Sequence, residues 1–364
     1  MSDAYEIRPY EPADRDAFLG LFEDVLGGRM GADWFAWKYE ANPYADGVPI
    51  VLAEQGDELV GARAFFPLRL AAGEDGYDAF QPCDTMVHPD HQRKGLFTRM
   101  TERAIERYAD DVDLYFNFPN HQSLPGNRKL GWRIVGERES YYRIQNPTAW
   151  IPQLDPVEPI ARAVASGYGS IRDRLADTGA GLKRTHYDGI PTATLAALAG
   201  VETIPAFHVV RDEQFYEWRF ENPLWTYRSV VARRDGEPVA ALVYARRERT
   251  DGPTTVRLVD ALPLADGTEA YRTVLFSGLL ADVVRANRDA DILVAPGSAL
   301  PRELLRARGF HSDQRAPLTW ATSSSTHVVR PSGVDPEPTD WRRSGRRLTE
   351  PDNWRLALCE LDSG

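Results

Sequence analysis

Between Tyr5 and Tyr10 apolar and polar side chains alternate, the two-residue period of a strand with one covered face. Asp14 then stands as an N-cap before Phe18, Leu21, Phe22 and Val25, whose spacing of three and four residues predicts an amphipathic helix. A second helix is expected from Asp33 to about Ala41, stopped at Asn42-Pro43 because a residue before proline is pushed out of the helical region. Strands are expected at Ile50 to Glu54 and Leu59 to Leu70, joined by a turn at Gly56-Asp57, with a third from about Tyr77 to Val87. A helix from about Leu96 to Tyr108, a strand from Asp113 to Phe118, a short helix ending near Gly131 and a strand from Arg133 to Ile144 complete the first half. The order β, α, α, β, β, β, α, β, α, β predicts an α/β unit built on a mixed sheet.

The densest chemistry lies where the third meander strand leads into its helix, Cys83-Asp84-Thr85-Met86-Val87-His88-Pro89-Asp90-His91-Gln92-Arg93-Lys94-Gly95-Leu96-Phe97-Thr98. A buried strand, a proline stop, a polar loop with one glycine and a helix start would turn successive backbone N–H groups and the positive helix end toward an anion such as a pyrophosphate. Gly95 would let the backbone approach closely, with Arg93 and Lys94 adding cationic contacts. A basic turn before an amphipathic helix accounts for the loop taken alone equally well.

In this setting the stretch resembles the GNAT superfamily of N-acetyltransferases, whose fourth strand leads into Gln/Arg-x-x-Gly-x-Gly/Ala. The match here is Gln92-Arg93-Lys94-Gly95-Leu96-Phe97, with Phe97 in place of the last small residue, a form similar to that of the tandem-GNAT enhanced-intracellular-survival group. Asn120 and Leu130-Gly131-Trp132 match a second family mark, and the likeness covers the first 145 or so residues. The resemblance implies acetyl-CoA as acyl donor and no metal. It implies that the backbone of Thr85, Met86 and Val87 runs beside the pantetheine arm, that Gln92 through Thr98 hold the pyrophosphate, and that Asn120 bonds the pantetheine where two strands splay apart. An amine would then attack the thioester directly in a ternary complex, helped by positioning and carbonyl polarisation.

The proton-transfer groups are less defined. Asp84 on the motif strand is a candidate general base, with Glu40, Glu54 and Asp78 behind it; a structural hydrogen-bonding role competes. The resemblance implies a tyrosine acid four residues before the glycine of the Gly-aromatic end, but Asn127 stands there. Tyr115 or Tyr142 would have to substitute. Of the loop histidines His88, His91 and His121, the last is the best candidate for proton transfer. In the resembling tandem enzymes the chain end reaches the active site, which makes Gly364 a candidate base through its carboxylate.

The second half echoes the first. Phe35-Ala36-Trp37-Lys38-Tyr39-Glu40-Ala41-Asn42-Pro43 returns as Tyr216-Glu217-Trp218-Arg219-Phe220-Glu221-Asn222-Pro223, each followed by strand, turn and strand, and Ser123-Leu124-Pro125 … Leu130-Gly131-Trp132 returns as Ala299-Leu300-Pro301 … Arg308-Gly309-Phe310. Three echoes in one order predict two GNAT-like domains in tandem. The Trp-x-Tyr/Phe pair is expected to pack each helix on its own sheet. The second loop, Leu262 to Glu269, is acidic and lacks the Gln/Arg-x-x-Gly run, so this copy is read as degenerate, shaping a cleft for substrate. The expected domains are 1–145 with the CoA loop, a partly helical connector 146–200 with helices near Ile160 to Ala165 and Ser170 to Ala176, the degenerate domain 201–325, and a tail 326–364. That tail is expected to run as loops to Thr349 and to end in a strand from Trp354 to Leu361.

The charge balance narrows the partners. The 364 residues carry a net charge of −11 with four lysines against thirty-nine arginines, a bias expected of a salt-loving archaeon or, next, a GC-rich bacterium. An acidic surface lacks the basic footprint of a nucleic-acid binder and favours an amine acceptor. No apolar run nears the roughly 20 residues of a membrane span, and the first residues lack the pattern of an export signal, so a cytoplasmic, membrane-free enzyme is expected. Cys83 and Cys359 lack metal-ligand spacing and read as apolar fillers. Two further readings stand beside the acetyltransferase: an aminoacyl or peptidyl transferase of tandem-GNAT type, and a non-catalytic acyl-CoA sensor.

Overall fold

The strand β3 (Glu58–Ala72) is buried without a break from Val60 to Leu68, so both of its faces must be covered. They are: Ala62, Ala64, Phe66 and Leu68 join one apolar cluster, and Val60 and Phe65 join another. The computed structural model describes residues 5–146, 181–250, 252–264, 267–316, 318–320 and 325–362. The connector helices expected near Ile160 and Ser170 fall outside them, as does Gly364.

Around β3 the first sheet gathers β1 (Glu6–Pro9), β2 (Ile50–Gln55), β4 (Asp75–Val87), β5 (Leu114–Asn117) and β6 (Arg133–Arg138). Helices α1 (Arg15–Leu26) and α2 (Ala32–Phe35) cover one face, while α3 (Leu96–Arg107) covers the other, with α4 (Leu124–Lys129) beside it. The second expected helix is a single α turn followed by a π turn, Ala36–Glu40. Asp14 occupies the N-cap of α1 without capping it, because its carboxylate is taken by Arg8 at 2.7 Å and by the Glu11 N–H.

The expected single strand from Arg133 to Ile144 is two strands in two different sheets. Glu139 alone separates β6 from β7 (Ser140–Ile144), too short a link for an antiparallel hairpin, which needs at least two loop residues. The chain therefore runs on into the second sheet. That sheet has the order β14 (His311–Ser312), β7, β13 (Ile292–Pro296), β12 (Gly252–Leu262), β11 (Glu237–Arg249), β10 (Thr226–Arg234), β8 (Lys183–Tyr187). In return, β15 (Ser325–Pro331) leaves the second half and lies between β5 and β6, antiparallel to both. A boundary at 145 thus assigns β7 to a sheet it does not join, and the tail expected to be loop supplies an inner strand. At the crossing the Gly297 N–H donates to the Glu139 carbonyl at 2.8 Å, and a Cβ on Gly297 would stand 2.8 Å from that same oxygen.

The second lobe repeats the first around α5 (Thr192–Ala199), the short strand β9 (His208–Val209, paired to β3), α6 (Glu213–Arg219), α7 (Glu269–Ala286) and α8 (Arg302–Ala307). Its edge strand β8 and α5 fall inside the expected connector. The repeated tryptophans meet across the lobes: each indole N–H donates to the other's backbone carbonyl at 2.9 Å, and the rings stack at 6.2 Å. They pack the two halves together rather than each helix on its own sheet alone, and one apolar cluster runs through both lobes. Trp354 to Leu361 is not a strand. Two 3₁₀ turns, Pro351–Asn353 and Leu358–Glu360, flank a single bridge from Trp354 to Phe207.

Candidate active site

Strands β4 and β5 pair only at Ala79 with Leu114 and Phe80 with Tyr115. Beyond Phe80 they part, and β4 runs on to Val87 along a crevice. A bulge at Asp84 and Thr85 opposite Arg63 bends β4 there, with Asp84 in the left-handed region at φ 37°. Such a residue is uncommon without glycine and points to a site under constraint.

At the mouth of the crevice Pro89–His91 forms a 3₁₀ turn, and Arg93 (φ 61°) and Gly95 (φ 78°) both take left-handed backbone before α3 begins. A Cβ on Gly95 would touch nothing within 4 Å, so the glycine answers a conformational demand rather than a steric one. The first intrahelical bond is donated by Arg99 to the Gly95 carbonyl, and no side chain caps α3. Among the described residues no group accepts from the backbone N–H of Lys94, Gly95, Leu96, Phe97 or Thr98, and these amides stand at the positive end of a 12-residue helix. Arg93 and Lys94 are exposed beside them.

The floor of the crevice is polar, buried and short of partners. Arg63, 1% exposed, reaches from β3 across to Thr85 Oγ1 on β4 and to Asn127 Oδ1 on α4 at 3.2 Å, while the face of Phe97 lies over its guanidinium. Burial pushes its pKa down to about 10. Arg63 Nε, Asn127 Nδ2, the Tyr115 hydroxyl and Asn117 Oδ1 all lie buried without a hydrogen-bond partner. Phe97, where the resembling motif has a small residue, sits against Gly126; a Cβ there would fall 2.6 Å from its ring.

Asp84 does not stand free. Lys38 Nζ donates to it at 2.6 Å and the Tyr39 hydroxyl donates to the same oxygen, while Asp362 lies 3.7 Å from that ammonium. Burial opposes the Lys38 charge, but Asp84, Cys83 and Asp362 together outweigh it and hold the amine above its ordinary range. Asp362 belongs to a segment threaded between the lobes. Arg211 binds Asp260 at 3.1 Å and Glu360 at 2.7 Å, Arg219 donates to the carbonyls of Cys359 and Leu361, and the Gln81 amide on β4 exchanges bonds with Glu360 and Asp362. At Asp362 the segment therefore lies beside the bulge of β4.

Thr85 is tied to Arg63, Met86 is buried, and the Val87 carbonyl accepts from Gln92 Nε2 at 3.3 Å. Asn120 uses its side-chain oxygen on the N–H groups of Gln122 and Ser123, and His121 is exposed in the same turn. His91 bonds the Tyr5 hydroxyl at 3.0 Å. Glu54 is held by Arg8, Glu40 lies 3.9 Å from Arg15, and Asp78 is exposed where β4 and β5 are still paired. Tyr142, on β7, lies in the second sheet and is removed from this crevice; Tyr115 lies on its floor. Sequence reasoning missed Arg63, Asn117 and the Lys38–Tyr39 clamp. An arginine and an asparagine inside otherwise apolar strand runs were the available signals.

The splayed strands and the open helix mouth have the arrangement of a GNAT domain, and residues 6–135 match the family model of the acetyltransferase (GNAT) domain. With its second lobe the chain has the fold of two GNAT-like domains in tandem. It is similar to the GCN5-related N-acetyltransferase from Kribbella flavida (TM-score 0.59, 15% identity, 90% of this chain and 71% of that one). It is also similar to Eis1 from Mycobacterium abscessus (0.50, 14%, 90% and 74%) and to N-myristoyltransferase from Saccharomyces cerevisiae, solved with bound myristoyl-CoA (0.57, 11%, 91% and 80%). No curated protein matches the sequence. Among the described residues no cluster of three or more His, Cys, Asp or Glu side chains could hold a metal, and no helix is long and apolar enough to cross a membrane.

Proposed function

We propose that this protein is an acyl-CoA-dependent N-acyltransferase that uses acetyl-CoA and passes the acyl group to an amine by direct attack in a ternary complex. The observation that carries the reading is the open mouth of α3, where the amides of Lys94 to Thr98 have no acceptor within the described protein. Those amides, with Arg93 and Lys94, would hold the pyrophosphate. The edge of β4 from Thr85 to Val87, which β5 does not pair, would lay the pantetheine arm into the crevice, and Asn120 would meet it with its free amide nitrogen. Asp84, engaged by Lys38 and Tyr39, is better placed to fix the bulge and the chain segment beside it than to collect a proton. The base then falls to Asp362, the carboxylate carried by that segment, or to His121. The second lobe is read as a degenerate copy without a carrier site.

Titration calorimetry with acetyl-CoA tests the reading directly. Arg93→Glu combined with Lys94→Glu, both exposed, should abolish heat of binding while leaving the fold intact; retained affinity sinks the proposal. An aminoacyl or peptidyl transferase, for which an open phosphate mouth has no use, would give no heat with the native chain. Asn127, where a tyrosine acid is expected, favours one further reading, a non-catalytic acyl-CoA sensor. Release of free thiol from acetyl-CoA against a panel of amines decides between transferase and sensor.

A further inference from the structure

The floor of the crevice holds a cation with no anion. Arg63 is buried, makes its hydrogen bonds to neutral oxygens of Thr85 and Asn127, and leaves its Nε unpaired; Asn127 Nδ2, the Tyr115 hydroxyl and Asn117 Oδ1 are unpaired around the same crevice. A lone buried guanidinium carries a desolvation cost that an arriving negative charge would offset. The helix mouth is the place for phosphates, and it lies at the outer end of β4. Arg63 lies inward, under Phe97, spanning the gap between β4 and α4 at the bulge. A carrier gripped by its phosphates at the mouth and laid along β4 brings its sulfur end inward, toward this guanidinium.

We propose that Arg63 is a catalytic residue of the transfer, binding the sulfur of the acyl carrier and stabilising the departing thiolate by charge, so that no enzyme proton donor is needed at position 127. The inference rests on the acyltransferase reading above. The amine nitrogen adds to the thioester carbonyl carbon, the carbon–sulfur bond breaks, and its electron pair stays on sulfur. The amine's proton leaves through the base, and the thiolate departs paired with Arg63. A charge-assisted hydrogen bond in a site this dry is worth more than one in water. Asn127 then serves to hold the guanidinium in place rather than to donate a proton.

The test follows the ionisation of free CoA bound to the full chain, read from the ultraviolet absorbance of the thiolate across a pH series, with desulfo-CoA affinity as control. Bound CoA should lose its thiol proton at least one pH unit below CoA in solution. Arg63→Gln should erase that difference while desulfo-CoA still binds within about threefold, Arg63→Lys should keep part of it, and Tyr115→Phe should leave it unchanged. Bound CoA that ionises at or above its solution pH, or a depression that survives Arg63→Gln or vanishes with Tyr115→Phe, overturns the proposal. Should Arg63→Gln fail to fold, the native chain, Arg63→Lys and Tyr115→Phe decide. Absence of desulfo-CoA binding to the native chain would instead remove the acyltransferase reading on which this one stands.

Discussion

The two lobes share a strand order and an exchanged strand, yet the same two places in each do opposite things. In the first lobe α3 opens on a left-handed Gly95 with no cap and its leading amides bare. In the second, Thr268 caps α7, its hydroxyl accepting from the Tyr271 N–H at 3.2 Å, and Glu269 adds a negative charge in the first turn. One helix mouth is left without a cap; the other is closed by its own side chain. The bulged strands differ in the same sense. Asp84 on β4 is 12% exposed and shares its cation, Lys38, with Asp362. Asp260 on β12 is fully buried in a closed set with Arg211 and Tyr216, and Arg211 also clamps Glu360. Duplication supplied two equal frames, and the difference shows that binding capacity in this fold resides in what is left unsatisfied.

The buried set of the second lobe offers the largest effect. Burial opposes the Arg211 charge, but Asp260 and Glu360 raise its pKa well above the ordinary value, so it is a permanent cation between two carboxylates. Arg211→Met would leave both uncompensated, costing about 3–5 kcal/mol and lowering Tm by about 10 °C. Lys38→Met should cost less than half as much, because Asp84 and Asp362 reach water. Equal losses in the two variants, measured by chemical denaturation, would dissolve the contrast between the lobes. The helix mouth comes next. Thr98→Glu, at an exposed position, sets a carboxylate in the first turn of α3 as Glu269 does in α7. Acetyl-CoA affinity should fall about 100-fold, equivalent to roughly 2.7 kcal/mol, with Tm little changed. Unaltered affinity in calorimetry would show that the bare amides are not what holds the carrier.

Most of the frame was legible because its signals are local. The spacing of Phe18, Leu21 and Phe22, the Gly56-Asp57 turn and the strand–loop–helix around Gly95 each act within a few residues, and the echo of Trp37-Lys38-Tyr39 in Trp218-Arg219-Phe220 announced the duplication. What stayed hidden depends on distance. Nothing near Glu139 says which sheet accepts β7, since the choice rests on an open strand edge contributed by β13 more than a hundred residues on. For the same reason β15 read as loop and Trp354 to Leu361 as strand: the pairing partner, not the sequence pattern, decides. The uncapped mouth of α3 could be read from its own residues. The floor could not, because Arg63, Thr85 and Asn127 meet only after three elements have folded around one crevice.

The reciprocal tryptophans allow a finer comparison. Trp37→Phe and Trp218→Phe each delete one indole N–H and leave the other's carbonyl bare in a buried place, so each should cost about 1–3 kcal/mol. If the lobes are equivalent at this contact the two costs should match within about 0.5 kcal/mol, and the double variant should fall short of their sum, as adjoining sites do. A large inequality in urea denaturation would place the junction's energy in one lobe alone.

The exchanged strands differ in what they can titrate. β7, Ser140–Ile144, carries nothing that changes charge between pH 5 and 7. On β15, His327 is buried between the Phe118 ring at 5.0 Å and Trp354, and it lines a cavity of about 640 Å³ with Arg138 and Ser298. Burial, and then the nearby Arg138 charge, holds its pKa well below the ordinary 6.5. The folded chain therefore leaves this ring neutral where the unfolded chain protonates it. Its contribution is complete above about pH 6.5 and is lost as the pH falls below that value, by at most about 1.4 kcal/mol per pH unit. His327→Phe should leave stability near pH 7.5 within about 1 kcal/mol and make the decline from pH 6.5 to 5 shallower. The same slope in both proteins, followed by urea denaturation across that range, would mean that the exchange of β15 into the first sheet carries no pH dependence of its own.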